Sequence, residues 1–106
     1  MAERVLIVND LSFEEEVLRS KETFLLEFGA AWCPPCRKLE PIVESIAAEN
    51  PSGIRVGKVD TDDAPAISAK LGVRAVPTVI VFKNGKEHRR HVGLTTKAKL
   101  YDLMGD

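Results

Sequence analysis

The chain has 106 residues, 44% of them hydrophobic, with 15 basic against 16 acidic side chains. That size and composition predict one domain, residues 1–106, with a core that needs no metal or disulfide staple. Balanced charge without a basic block argues against nucleic acid or an anionic membrane as partner, and no apolar run reaches the ~18 residues of a membrane span.

The start, Met1-Ala2-Glu3-Arg4, lacks the charged-then-apolar pattern of a secretory signal, so a reducing cytoplasm is expected; the chain is also expected to be a monomer. Val5 to Val8 reads as a brief strand. Ser12-Phe13-Glu14-Glu15 has the spacing of a capping box, and Phe13, Val17 and Leu18 follow at near-helical intervals, predicting a short helix to about Ser20. Thr23 to Phe28 is almost continuously apolar, the mark of a strand covered on both faces and central in its sheet.

From Pro35 to Asn50, residues Leu39, Ile42, Val43, Ile46 and Ala47 recur at i, i+3, i+4, i+7, i+8, one buried stripe of an amphipathic helix. Pro41 removes the bond to residue 37, which predicts a kink one turn after the cysteines. Ile54 to Val59 is the next strand. Asp62 or Asp63 is expected to cap a helix carrying Ile67 and Leu71, which Gly72 stops. Thr78 to Phe82 and Glu87 to Val92 flank Asn84-Gly85, the favoured dipeptide of a type I′ hairpin. A last helix, capped by Thr95 or Thr96, packs Leu100, Leu103 and Met104. The order β-α-β-α-β-α-β-β-α gives an α/β fold, a central mixed sheet flanked by helices.

Only two cysteines are present, Cys33 and Cys36. A staple between them would close almost no loop, so chemistry explains them better than stability. Cys33 follows an apolar strand and precedes the helix that starts near Pro35, so its sulfur belongs at a helix N-terminus. Free N–H groups and the helix dipole there favour the thiolate, the attacking species in disulfide exchange, and Arg37 adds a cation where its side chain turns that way. Cys36 lies on the same side, is expected to be less exposed, and resolves the mixed disulfide. Zinc needs four ligands, whereas His88 and His91 fall on a predicted strand facing opposite ways and read as ordinary exposed residues.

Phe28-Gly29-Ala30-Ala31-Trp32-Cys33-Pro34-Pro35-Cys36-Arg37 with Pro41, and Val76-Pro77-Thr78 further on, resemble the thioredoxin family over almost the whole chain. The resemblance implies a thioredoxin fold and a protein-disulfide reductase with no bound cofactor. It also implies recharging by an NADPH-dependent thioredoxin reductase, and disulfide-bearing proteins as substrates. It implies a cis Pro77 facing the cysteines, a Val76 backbone that pairs with an extended substrate, Gly93 near the same groove, and Trp32 as a wall that reports redox state.

Glu27 and Lys58 are lone charges in apolar strands, so a mutual pair is expected. They match the family's buried acid, usually aspartate, and its neighbouring lysine. The acid's implied role is proton acceptor for the resolving cysteine; a salt bridge steadying two strands is the alternative. Two departures from the family stand out. Pro34-Pro35 replaces the usual Gly-Pro, removing an N–H from the first helical turn and predicting a helix that starts one residue late. Gly29 replaces a tryptophan common four residues before the first cysteine. An oxidase or isomerase, a partner-binding module using the groove with its thiols incidental, and a metal or iron-sulfur site shared by two chains are the competing functions.

Overall fold

The computed structural model describes residues 5–49 and 52–105. In chain order it forms β1 (Val5–Ile7), a π-helical turn (Glu14–Leu18), β2 (Thr23–Gly29), α1 (Pro34–Glu49) and β3 (Ile54–Asp60). Then come α2 (Pro65–Lys70), β4 (Thr78–Lys83), β5 (Lys86–Val92) and α3 (Lys97–Met104). The strands lie in the order β1-β3-β2-β4-β5, so β2 is the central one, as its apolar run predicts. β3 pairs parallel with both β1 and β2, whereas β4 pairs antiparallel with both β2 and β5, which makes the sheet mixed as expected.

Period-two alternation along β2 divides the core between the two faces. Phe24, Leu26 and Phe28 pack with Phe13, Val17, Ile67, Ile80 and Phe82 on the side of the π-helical turn and α2. Leu25 joins Leu39, Val43, Ile46, Val79 and Leu100 on the side of α1 and α3. Each fully buried side chain of this size stabilises by roughly 1.5–3 kcal/mol. Glu27, two residues after Leu25, is placed on the α1 face by the same alternation. A charge on a central strand is thereby put under the helix that carries the cysteines.

Local signals settle the hairpin and two helices. Asn84 and Gly85 both take positive φ, 55° and 77°, as a type I′ turn requires. The Thr96 side chain accepts the Lys99 N–H at 3.2 Å and so is the cap of α3, Thr95 not being used. The α1 stripe is buried at Leu39, Val43, Ile46 and Ala47.

Several expectations are corrected. The segment before β2 is a π-helical turn, and Ser12 does not cap it. Its cap position is Phe13, which makes no side-chain cap bond; in the loop before it the Asn9 side-chain oxygen accepts the Leu11 and Ser12 N–H groups, while the Ser12 hydroxyl accepts the Asn9 N–H. The reciprocal pair thus sits three residues earlier than Ser12-Glu15 predicts. Neither Asp62 nor Asp63 caps α2; the cap position is Ala64, and the donors are taken by Asp10 from a distant loop. α1 begins at Pro34, not a residue late. First-turn N–H groups have no intrahelical acceptor, so two prolines there forfeit no helical bond. The helix continues past Pro41 to Glu49, and its predicted last residue, Asn50, lies outside the described residues.

Candidate active site

β2 ends at Gly29, and the turn Ala30-Ala31-Trp32 delivers Cys33 to the head of α1. The Cys33 N–H donates to the Ala30 carbonyl at 3.1 Å and the Cys33 carbonyl accepts the first helical bond, from Arg37, at 3.2 Å. Arg37 does not reach toward the sulfur. Its guanidinium donates twice to the Ala31 carbonyl, at 3.0 and 2.8 Å, and so braces the turn from outside.

Cys33 and Cys36 are joined as a disulfide, with Cα atoms 5.3 Å apart. The Cys36 N–H donates to the Cys33 sulfur at 3.2 Å. Pro34 and Pro35, both exposed, have no N–H to add, so the sulfur at the helix head receives this one bond from the first turn. The expected difference in exposure is absent: the cysteines are 2% and 3% exposed, in one buried cluster with Ala30 against which Val76 packs. What differs is their surroundings. The Cys33 sulfur lies 3.7 Å from the Val76 carbonyl oxygen, a contact that carries no proton while the disulfide is intact. Cys36 faces the other way, toward Gly29 and Glu27.

Val76-Pro77 is a cis peptide, as the resemblance implies, and Pro77 is buried beside the start of β4. The Pro77 carbonyl accepts the N–H of Gly93, whose φ of 102° suits glycine, so the two loops are tied together. Val92 and Leu94, on either side of Gly93, are large exposed hydrophobics that the sequence reading passed over. Trp32 is also exposed, and its indole N–H donates to the Asp62 carboxylate at 3.0 Å. Asp62, expected as a helix cap, therefore holds the tryptophan.

Behind the disulfide lies the buried acid. Glu27 is 2% exposed and its Oε1 has no hydrogen-bond partner among the described residues. Burial, then the negative charge of Glu40, push its carboxyl up to about 7; Lys58 pulls the other way and Glu44 adds to the rise. Glu27 and Lys58 are register partners on adjacent strands, yet the predicted pair between them does not form. Lys58 Nζ instead lies 3.6 Å from Glu40 Oε2, on α1. A lysine drawn onto a buried carboxylate loses its own hydration, and a half-exposed partner spares it that cost. Sequence spacing held a signal for this: Cys36, Glu40 and Glu44 recur every four residues and share one side of α1.

Gly29 is the gap between acid and sulfur. A methyl group built at its Cα would lie 3.4 Å from the Cys36 sulfur and 3.5 Å from Glu27 Oε2. A cavity of about 320 Å³ opens there, lined by Glu27, Gly29, Glu40, Lys58, Asp60 and Asp63 among others. It is large enough and polar enough to hold water between these groups. Among the described residues, no cluster of three or more His, Cys, Asp or Glu is arranged to hold a metal ion. His88 and His91 are both half-buried, not exposed, and the His88 Nε2 sits 2.7 Å from the Gly105 carbonyl oxygen.

A sulfur pair held at a helix head, beside a backbone carbonyl on one side and a buried acid on the other, is built for dithiol–disulfide exchange. The family model described as Thioredoxin matches residues 4–106. Relatives include a thioredoxin of Rickettsia bellii, 46% identical over 93% of this chain and 94% of the other. A thioredoxin of Porphyra purpurea is 42% identical over 92% and 91% of the two chains. A chloroplastic M-type thioredoxin of Pisum sativum is 41% identical over 94% of this chain and 58% of that longer one. The chain belongs to the thioredoxin family. It is a thiol-disulfide oxidoreductase acting on protein disulfides, of a kind that works without a bound cofactor, and among its described residues no helix is long and apolar enough to cross a membrane.

Proposed function

We propose that this chain is a general protein-disulfide reductase in which Cys33 attacks and Cys36 resolves. The Cys33 thiolate attacks one sulfur of a substrate disulfide, forming a Cys33–substrate mixed disulfide and expelling the other substrate sulfur as a thiolate that takes a proton from solvent. Glu27, acting through water in the cavity at Gly29, accepts the Cys36 thiol proton. The Cys36 thiolate then attacks the Cys33 sulfur, and the second substrate sulfur leaves. Two electrons pass to the substrate, and the chain is left with its Cys33–Cys36 disulfide.

The observation that carries this assignment is the unequal setting of the two sulfurs. Cys33 receives the helix-head N–H of Cys36 and borders the Val76 carbonyl, where incoming substrate backbone can pair; Cys36 faces the acid. Trp32, Pro34, Pro35, Val76, Pro77 and Gly93 then form the substrate groove, with Val92 and Leu94 extending its apolar rim. Family membership supports recharging by an NADPH-dependent thioredoxin reductase, and the reductive direction calls for a reducing compartment, which we take to be the cytoplasm, with the chain a monomer.

Trapping tests the roles. Cys36→Ser is expected to accumulate a mixed disulfide through Cys33 with a model disulfide protein, and Cys33→Ser to trap none through Cys36. The reverse pattern would reject the assignment. A redox equilibration giving about −270 mV supports a reductase, and one near −180 to −120 mV an oxidant or isomerase.

A further inference from the structure

Lys58 has two carboxylates to choose from. Glu27 is its register partner across β2 and β3 and lines the same cavity, with Oε1 unpartnered among the described residues. Glu40 comes from the next layer, one helical turn beyond Cys36. The ammonium is found on Glu40, with both side chains about two-fifths exposed, 37% and 43%. We infer that Glu40 is a positioning residue for the resolving step: it holds the Lys58 ammonium on the solvent side of the cavity and so keeps it off the Glu27 carboxylate.

The groups that act on Glu27 come from every element packed against it. β3 supplies Lys58, and α1 supplies Glu40, Glu44 and the Cys36 sulfur. β4 offers only Val79, its apolar register partner, and Asp60 and Asp63 line the cavity further along. Lys58 is thus the one cation among them. Were it to settle on Glu27, the carboxyl would ionise at lower pH and become a poorer base for a thiol proton. Glu40 prevents this in two ways, by occupying the ammonium and by placing a second negative charge near Glu27. Glu44 lacks the first of these: it is exposed and makes no ion pair with Lys58.

This inference rests on the reading of Glu27 as proton acceptor, and its test separates the two. The titration midpoint of the Glu27 carboxyl carbon is followed by NMR in the oxidised wild type, Glu40→Gln, Glu44→Gln, Lys58→Met and the Glu40→Gln/Lys58→Met double variant. Glu40→Gln is expected to lower the midpoint by about 1 pH unit, Glu44→Gln to lower it less, and Lys58→Met to raise it. In the Lys58→Met background the effect of Glu40→Gln should shrink to under roughly half, because there is no ammonium left to release. An unmoved midpoint in Glu40→Gln overturns the inference. So does an effect of equal size with and without Lys58, which would make Glu40 a nearby charge and nothing more. The pH profile of mixed-disulfide resolution in Glu40→Gln is expected to shift with the midpoint. A midpoint that moves while the profile stays in place leaves the hold on Lys58 standing and rejects Glu27 as the acceptor.

Discussion

Asp10 caps a helix that begins more than fifty residues away: its Oδ1 accepts the Ile67 N–H at 2.9 Å and its Oδ2 the Ala66 N–H at 3.2 Å. Two of the orphan donors at the head of α2 are satisfied by a loop that follows β1. The bond pair also ties that loop to the end of the sheet where Ile67 is buried. Loss of such a cap costs about 1 kcal/mol, with ~2 as the upper range. Asp10→Ala is therefore expected to lower the stability of the oxidised protein by that amount in urea unfolding, and Asp63→Ala, for which no cap bond exists, to change it by less than about 0.5 kcal/mol. Equal losses in the two variants would mean that the cap is not what Asp10 contributes.

Two glycines with nearly the same backbone should respond very differently to alanine. Gly72 and Gly85 have φ of 70° and 77°. A Cβ at Gly72 would meet nothing within 4 Å, whereas one at Gly85 would lie 2.0 Å from the Leu18 carbonyl oxygen. Left-handed backbone alone costs a non-glycine residue roughly 1–2 kcal/mol, and Gly72→Ala should stay in that range. Gly85→Ala must in addition push the hairpin off the π-helical turn, so a loss above ~3 kcal/mol is expected. Chemical denaturation of both variants measures the contrast.

These two cases show where reading the sequence succeeds and where it stops. Asn84-Gly85 announces its turn because the demand for positive φ is local to the dipeptide, and the α1 stripe is legible because its period is local to sixteen residues. That Gly85 abuts Leu18, that Asp10 caps α2 and that Lys58 turns to Glu40 are consequences of the packed fold, and a window of sequence holds no record of them. The cysteine site divides along the same line. Its position at a strand-to-helix junction follows from neighbouring residues. Arg37 could be given a charge but not a direction, and it went to the Ala31 carbonyl. The near-equal burial of the two cysteines depends on a cluster that brings Val76 from a distant loop against them, which no periodicity conveys.

The Trp32–Asp62 bond makes a spectroscopic prediction. Trp32 is the sole tryptophan, so indole fluorescence reports one site. Asp62 keeps its loop shape by donating its backbone N–H to Asp60 at 2.9 Å, a bond that does not need its side chain. Asp62→Ala should therefore release the indole and leave the loop in place. Acrylamide quenching is expected to rise relative to wild type, with stability changed by less than about 0.5 kcal/mol. Asp63→Ala, in the same loop without the indole bond, should leave quenching unchanged; a rise there too would point to loop loosening.

Glu27 should make the protein less stable as pH rises from about 4.5 to about 7. Its carboxyl is raised from 4.5 to about 7 by burial first and the Glu40 charge second. Between those values the folded chain holds a proton that the unfolded chain releases, so unfolding is favoured progressively by rising pH. Below about 4.5 the group is neutral in both states and costs nothing; above about 7 it is charged in both, and the full penalty is present. The shift corresponds to an order of 3 kcal/mol, which partial hydration through the cavity reduces. Glu27→Gln keeps the shape and removes the ionisation, so its stability curve should be flatter than the wild type's between pH 4.5 and 7. At pH 8 it should be the more stable protein. Urea midpoints of the oxidised forms across that range decide the matter: parallel curves would show that Glu27 ionises in the folded chain much as it does in the unfolded one. On the proposed reading of Glu27 as proton acceptor, this penalty is the cost of keeping an ionisable carboxyl beside Cys36 while Lys58, its register partner, is engaged by Glu40.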